Sequence, residues 1–275
     1  SYYRTRNRSA TTAMSRAFAP FNENIRVAWQ NLGLNTATAG VDAPIFGAST
    51  PIYKFLDEAV NSNVRTRFYD WLFQIPASGS TPNIAASIRA GDFFKRAGGA
   101  VDTNPYWDRD LSRELSCRQN FHINMSDGFW NNGNPAPGTA GSPAARRYLD
   151  SNTALPDGRS YNTGNAESKF FNRFTGTQIE PTLADVMFHY WASDLRPDFA
   201  NQDSTRLKVP PFIPDRSTTL FGNPLGSGQN ALDNLEVYWN PANDPATWPH
   251  LVSFNISFGL EGTLPQTPDV YESLR

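Results

Sequence analysis

Asp127 closes a strand-like run. Phe121, Ile123 and Met125 alternate with His122 and Asn124, and the run stops at Ser126-Asp127-Gly128. An acid at the carboxyl end of a strand lies where α/β folds bind ligands. The same residue can equally cap the turn that follows. A second candidate oxygen is the hydroxyl of Thr81, in Gly79-Ser80-Thr81-Pro82. Ser or Thr before a proline at the first helical position is an ordinary N-cap. Capping and ligand binding are compatible there, because both put the oxygen at the helix mouth.

The other reactive side chains fit no catalytic pattern. His122, His189 and His250 lie in a strand, in a helix and ahead of a strand, without H-x-x-x-H or paired-cysteine spacing. Zinc sites typically show such spacing, so structural roles are predicted for all three. No G-x-S-x-G elbow is present to expose a serine, nor a G-x-G-x-x-G or P-loop lysine motif. Gly222 to Gly228 follows no convincing strand and reads as loop. Cys117 is the single cysteine, so an internal disulfide is excluded. It is either a buried thiol or a reactive one beside the Asp127 loop.

These groups need a frame. Asn7 to Phe18 suits a helix ended by Pro20, and Ile25, Val27 and Trp29 alternate as a strand. A long helix is predicted from about Pro51 to Phe73, and a second carries Ile84, Ile88, Phe93 and Phe94 to Gly98-Gly99. Leu183, Val186, Met187, Tyr190 and Trp191 follow helical spacing, with Pro197 as the stop. Val252, Phe254, Ile256 and Phe258 form a last strand. Two stretches rich in turn formers, about 129–181 and 198–249, are predicted to be mainly irregular, solvent-facing insertions, the first with one short helix near Phe170. Strands separated by helices indicate an α/β layer with a mostly parallel sheet. Three convincing strands are fewer than such a domain normally has.

Composition sets outer bounds. The 275 residues carry 24 basic and 26 acidic side chains, a formal charge of -2. No net attraction to nucleic acid or anionic membrane follows. Hydrophobic content of 39% supports a core, and no apolar run reaches the roughly 18 residues of a membrane span. Trp71, Trp130, Trp191 and Trp239 are expected mainly to pack helices on the sheet.

In combination, several segments resemble PilC/PilY-type pilus adhesins. They are Gly79-Ser80-Thr81-Pro82 with its helix, Cys117-Arg118-Gln119-Asn120-Phe121, and Met125-Ser126-Asp127-Gly128-Phe129-Trp130-Asn131. Leu183-Ala184-Asp185-Val186 through Asp194-Leu195-Arg196-Pro197 and Asp244-Pro245-Ala246-Thr247-Trp248-Pro249-His250 complete the set. The matches run in order from about Phe68 to Leu260. The resemblance implies a von Willebrand A-like fold over 1–275, partial and with the two insertions. It also implies a metal-ion-dependent adhesion site, with Thr81 and Asp127 as the second- and third-loop ligands of a Mg²⁺ or Ca²⁺ ion.

The first ligand loop of such a site, Asp-x-Ser-x-Ser, is absent from this chain. The expectation is that the chain begins just after that loop and its strand and also lacks closing elements. The ion is then expected in the intact protein and not in this piece. The resemblance further implies an extracellular module at the pilus tip, binding minor pilins and a host or surface receptor. That is a binding role and not an enzymatic one. The competing reading is a metal-dependent α/β hydrolase with Asp127 as ligand or base.

Two geometric expectations follow. Thr81 and Asp127 should lie within about one helix diameter, roughly 10 Å. If the strands Phe121 to Met125 and Val252 to Phe258 are neighbours, Asn124 and Asn255 should meet in a polar seam, on a face where doubly covered sheets are usually apolar.

Overall fold

The computed structural model describes residues 6–33, 52–56, 64–75, 81–98, 103–126, 153–161, 183–199, 208–211 and 244–257. Among them are four helices and eight strands, a mixed α/β chain. It divides into two compact units. The first comprises Ser1–Leu115, Phe121–Ser142 and Ser253–Glu261; the second comprises Ser116–Asn120, Pro143–Val252 and Gly262–Arg275.

In the first unit, α1 (Arg6–Phe18) and α2 (Val64–Gln74) run antiparallel. Their cross-links show the direction: Asn7 Nδ2 donates to the Ile75 oxygen, Tyr69 Oη to that of Ser15, and an Arg65 guanidinium N–H to that of Ala19. α2 buries Val64, Phe68, Trp71 and Leu72, the i, i+4, i+7, i+8 pattern of one helical face. That face joins Trp29 and Phe55 in an aromatic core, with Met14, Phe18 and Phe21 packed against it. Phe68 lies at its centre, with ring centroids 4.9 Å from Phe18, 5.5 Å from Trp29 and 5.6 Å from Phe55.

The helix predicted from Pro51 is not continuous. Tyr53–Lys54 forms β2, antiparallel to β1 (Arg26–Val27), and the Phe55 amide donates to the Ile25 oxygen at 3.0 Å. Phe55 is fully buried in the aromatic core while Leu56 is exposed. Strand pairing therefore satisfies the backbone while sending Phe55 inward, and apolar spacing alone did not distinguish this from helix.

α3 (Asn83–Phe93) is buried on nearly every side, including Ile84, Ala86, Ile88, Ala90 and Phe93. Phe94 is its C-cap, and Gly98, at φ +65°, lies beyond the end of the helix. A hairpin follows that the sequence did not announce: β3 (Trp107–Asp108) pairs antiparallel with β4 (Arg113–Glu114). Its turn is held by the Leu111 amide donating to Asp108 Oδ1 at 3.0 Å.

β5 (Asn120–Ser126) neighbours β8 (Leu251–Ser257). Side chains pair as His122 with Ser253 and Asn124 with Asn255, both 131 positions apart. A constant offset means parallel strands, since antiparallel pairing would keep the sum of the numbers constant instead. The other described pairs are all antiparallel. The described residues thus hold small two-stranded sheets, and a single large parallel sheet is not seen among them.

The second unit centres on α4 (Leu183–Ala192). Its buried residues are Val186, Phe188, His189, Tyr190 and Ala192, whereas Leu183, Met187 and Trp191 of the predicted stripe are half-buried. Leu155, Ala246 and Trp248 complete that core. Leu155 follows the hairpin strand β6 (Thr153–Ala154), which pairs with β7 (Ser160–Tyr161) through a turn containing Gly158 at φ +87°. The first predicted insertion therefore contains regular structure at 153–161. The second is not wholly solvent-facing, because Val209, Ala246 and Trp248 are buried. Their apolar side chains outweigh the turn-forming composition around them. The expected helix near Phe170 and the side chains of Trp130 and Trp239 lie outside the described residues, and no described helix is long and apolar enough to cross a membrane.

Candidate functional site

Thr81 stands two residues ahead of α3, half-buried. Its main-chain oxygen accepts the Asn83 amide at 2.9 Å. The predicted arrangement, Thr81 capping and Pro82 as the first helical residue, is shifted by one. Pro82 is itself the N-cap, at φ -81° and ψ 66°, with no side-chain cap bond. Its ψ is not helical, so the helix starts at Asn83, which leaves Thr81 outside the capping position.

Asp127 follows Ser126, the last residue of β5, and lies outside the described residues, as does the expected approach of Thr81 to Asp127. Among the described residues no group of three or more His, Cys, Asp or Glu is placed to hold a metal ion. Thr81 alone supplies one neutral oxygen, whereas a Mg²⁺-type ion takes about six. The described residues do not by themselves fit such an ion.

Each of the three histidines has a ring-nitrogen partner in the fold. His122, in β5, has Nδ1 3.5 Å from Ser253 Oγ, and burial pushes its imidazole down from 6.5 to about 4. His189, in α4, has Nδ1 3.3 Å from Ser193 Oγ. His250 is fully buried, with Nδ1 2.6 Å from the Trp248 oxygen and Nε2 3.0 Å from Asp244 Oδ2. For Asp244, burial would raise the carboxyl. Hydrogen bonds from His250, Trp191 and the Ala246 amide, with the charge of His250, outweigh that and hold it below its ordinary range. This pair was not anticipated, although Asp244 and His250 bracket one of the segments that carried the resemblance. No fixed spacing in a non-helical segment signals such a contact.

A second unanticipated centre is Arg26. One terminal nitrogen donates to the oxygens of Pro105 and Trp107 at 2.8 and 3.1 Å, the other to those of Ile52 and Asn104 at 2.8 and 3.3 Å. One planar fork thereby joins β1, the approach to β2 and the segment before the β3–β4 hairpin. Asn104 extends the network, donating to Glu114 Oε1 at 2.6 Å and accepting the Tyr106 amide.

In β5 the polar side is the sheltered one, while Asn255 on the same side of β8 is exposed. Asn124 is 6% exposed, whereas Phe121, Ile123, Phe254 and Ile256 are 42 to 55% exposed. The expected seam is present: Asn124 Nδ2 donates to Asn255 Oδ1 at 3.0 Å.

No protein-family model and no solved structure matches the chain. Curated relatives do. The chain is 34% identical over 267 residues to Type IV pilus biogenesis factor PilY1 of Pseudomonas aeruginosa strain PAK. It is 33% identical over 264 residues to the protein of the same name from strain UCBPP-PA14. Each match covers 96% of this chain but only 19% and 18% of the relative. The chain is therefore similar, over nearly its whole length, to about a fifth of proteins named Type IV pilus biogenesis factor PilY1.

Proposed function

We propose that this chain is a von Willebrand A-like module of a type IV pilus biogenesis factor, acting outside the cell at the pilus tip. The observation that carries the reading is the similarity along 96% of the chain to proteins named for pilus biogenesis. In this reading the module binds and does not catalyse. Its partners are minor pilins and a surface or host receptor. The binding edge is the carboxyl end of β5 with the loops around it, because that is where parallel α/β units take ligands. The parallel β5–β8 pair and the α3 start beside Thr81 are compatible with such a frame. In the intact protein a divalent cation, Mg²⁺ or Ca²⁺, takes Thr81 and Asp127 among its ligands.

The test is made in the native host with the full-length protein. Asp127→Ala should leave protein abundance unchanged and reduce attachment to a surface, with added Mg²⁺ failing to restore it. Deleting the segment equivalent to this chain should reduce the number of surface pili. Normal piliation and normal attachment in both strains would overturn the reading. Turnover of an ester or phosphoester by the purified protein, lost in Asp127→Ala, would favour a metal-dependent hydrolase instead.

A further inference from the structure

Residues 109–112 join β3 to β4, and with Arg113 they form an unbroken exposed run. At its middle Leu111 is 55% exposed, with Arg109 two positions before it and Arg113 two positions after. One exposed leucine means nothing by itself. What singles this one out is how firmly the fold presents it.

Below the turn, Tyr106 is fully buried and its oxygen accepts the Leu115 amide at 2.8 Å. Asn104, also buried, ties Glu114 to the Tyr106 amide. The Arg26 guanidinium holds the oxygens of Asn104, Pro105 and Trp107. Within the turn, Asp108 accepts the Leu111 amide, and from β2 Lys54 Nζ reaches Asp110 Oδ2 at 2.9 Å. Among the described residues Ser112 is the one non-glycine position with positive φ, at 49°. That backbone is unfavourable for a residue with a side chain, and it persists where the surroundings over-determine it.

We propose that the β3–β4 turn is a preformed contact that plants Leu111 in an apolar socket on an acidic protein surface. The charges set the chemistry of the partner. The hairpin's carboxylates are engaged within the fold: Asp108 with the Leu111 amide, Asp110 with Lys54, Glu114 with Asn104. The exposed guanidiniums of Arg109 and Arg113 flank Leu111, and a carboxylate is the acceptor that matches their fork. A lipid surface fits less well. A whole acyl chain holds a membrane only marginally, and one leucine buries far fewer methylenes. A turn already fixed in its bound shape also loses little freedom on docking.

Resting on the pilus reading above, the experiment takes the purified minor pilins of the host as probe and measures their binding to the full-length protein. One of them should bind. Leu111→Asp should weaken that binding about tenfold, the effect of losing a side chain that fills a socket, and leave the melting midpoint unchanged. Leu111→Met, which keeps an apolar tip, should bind as the unsubstituted protein does. Arg113→Glu should weaken binding in dilute salt and less so in concentrated salt. Unchanged binding in Leu111→Asp, or no binding by any minor pilin, overturns the proposal. So does retention of the protein on phosphatidylglycerol vesicles that Leu111→Asp abolishes, because the tip is then a lipid contact. Deleting the segment equivalent to this chain separates the two failures. Fewer surface pili in the deletion, with normal pilin binding by Leu111→Asp, removes the tip alone; normal piliation and attachment in the deletion removes the pilus reading with it.

Discussion

Asn124 and Asn255 are joined amide to amide across parallel neighbours, Nδ2 of the first donating to Oδ1 of the second at 3.0 Å. The two ends are unequal, since Asn124 is buried and Asn255 is exposed. Replacing Asn124 with Leu removes a made bond but leaves Asn255 able to turn to water. The expected loss is therefore at the low end for a hydrogen bond, about 0.5–1.5 kcal/mol. A thermal melt of Asn124→Leu checks it, and a raised midpoint would mean that the bond contributes nothing.

Phe68 is the hub of the aromatic core, 2% exposed and in ring contact with residues from α1, α2 and the β1–β2 region. Phe68→Ala removes that volume from between the rings of Phe18, Trp29 and Phe55, each of which it touches. Truncations of this kind cost about 3–5 kcal/mol. Urea denaturation should show the midpoint falling accordingly, with far-UV helicity partly lost.

Arg26 offers a test of geometry at constant charge. Lys carries the same charge but presents a single ammonium, which cannot reach four carbonyl oxygens disposed around a planar fork. Arg26→Lys is expected to destabilise by about 2 kcal/mol, since buried carbonyls lose their donors. Hydrogen exchange at Phe55 and Leu115, whose amides bond to Ile25 and Tyr106, should accelerate. Unchanged exchange would show that the network is dispensable.

His122 sets a pH dependence whose sign is fixed. Burial pushes its folded value down to about 4, against 6.5 for the free side chain. Between those values the unfolded chain binds a proton that the folded chain does not. Stability is therefore fully present above 6.5 and is lost as pH falls toward 4. The difference bounds the loss at roughly 3 kcal/mol, and partial exposure of the ring brings it lower. Melting temperatures across that window should fall with pH in the unsubstituted chain and flatten in His122→Gln.

Elements with a full period were legible from residues alone. α1, α2, α3 and α4 each carry enough apolar positions for the 3.6 spacing to show, and β5 and β8 are long enough for alternation. β1 lies inside the alternating run predicted from Ile25 to Trp29, but β2 and the β3–β4 and β6–β7 pairs are two-residue strands, too short to display any period, so they were missed or, around Tyr53, taken for helix. Thr81 was singled out by its place before Pro82, but α3 starts one residue later than that place predicts. The Asp244–His250 pair was not singled out, because six residues of irregular backbone carry no spacing rule that brings two side chains together, and the Arg26 fork was not, because it rests on backbone oxygens, which leave no mark in a sequence.

The outward-facing rings and branched side chains of the β5–β8 pair, Phe121, Ile123, Phe254 and Ile256, bear on how the isolated polypeptide behaves in bulk. With a formal charge of -2 and an isoelectric point near 5.9, molecules in mildly acidic buffer have almost no mutual repulsion to keep such surfaces apart. Colloidal stability should therefore be poorest close to that pH and improve in alkaline, dilute solution. A preparation that clouds on acidification could be losing solubility while its folded interior remains intact.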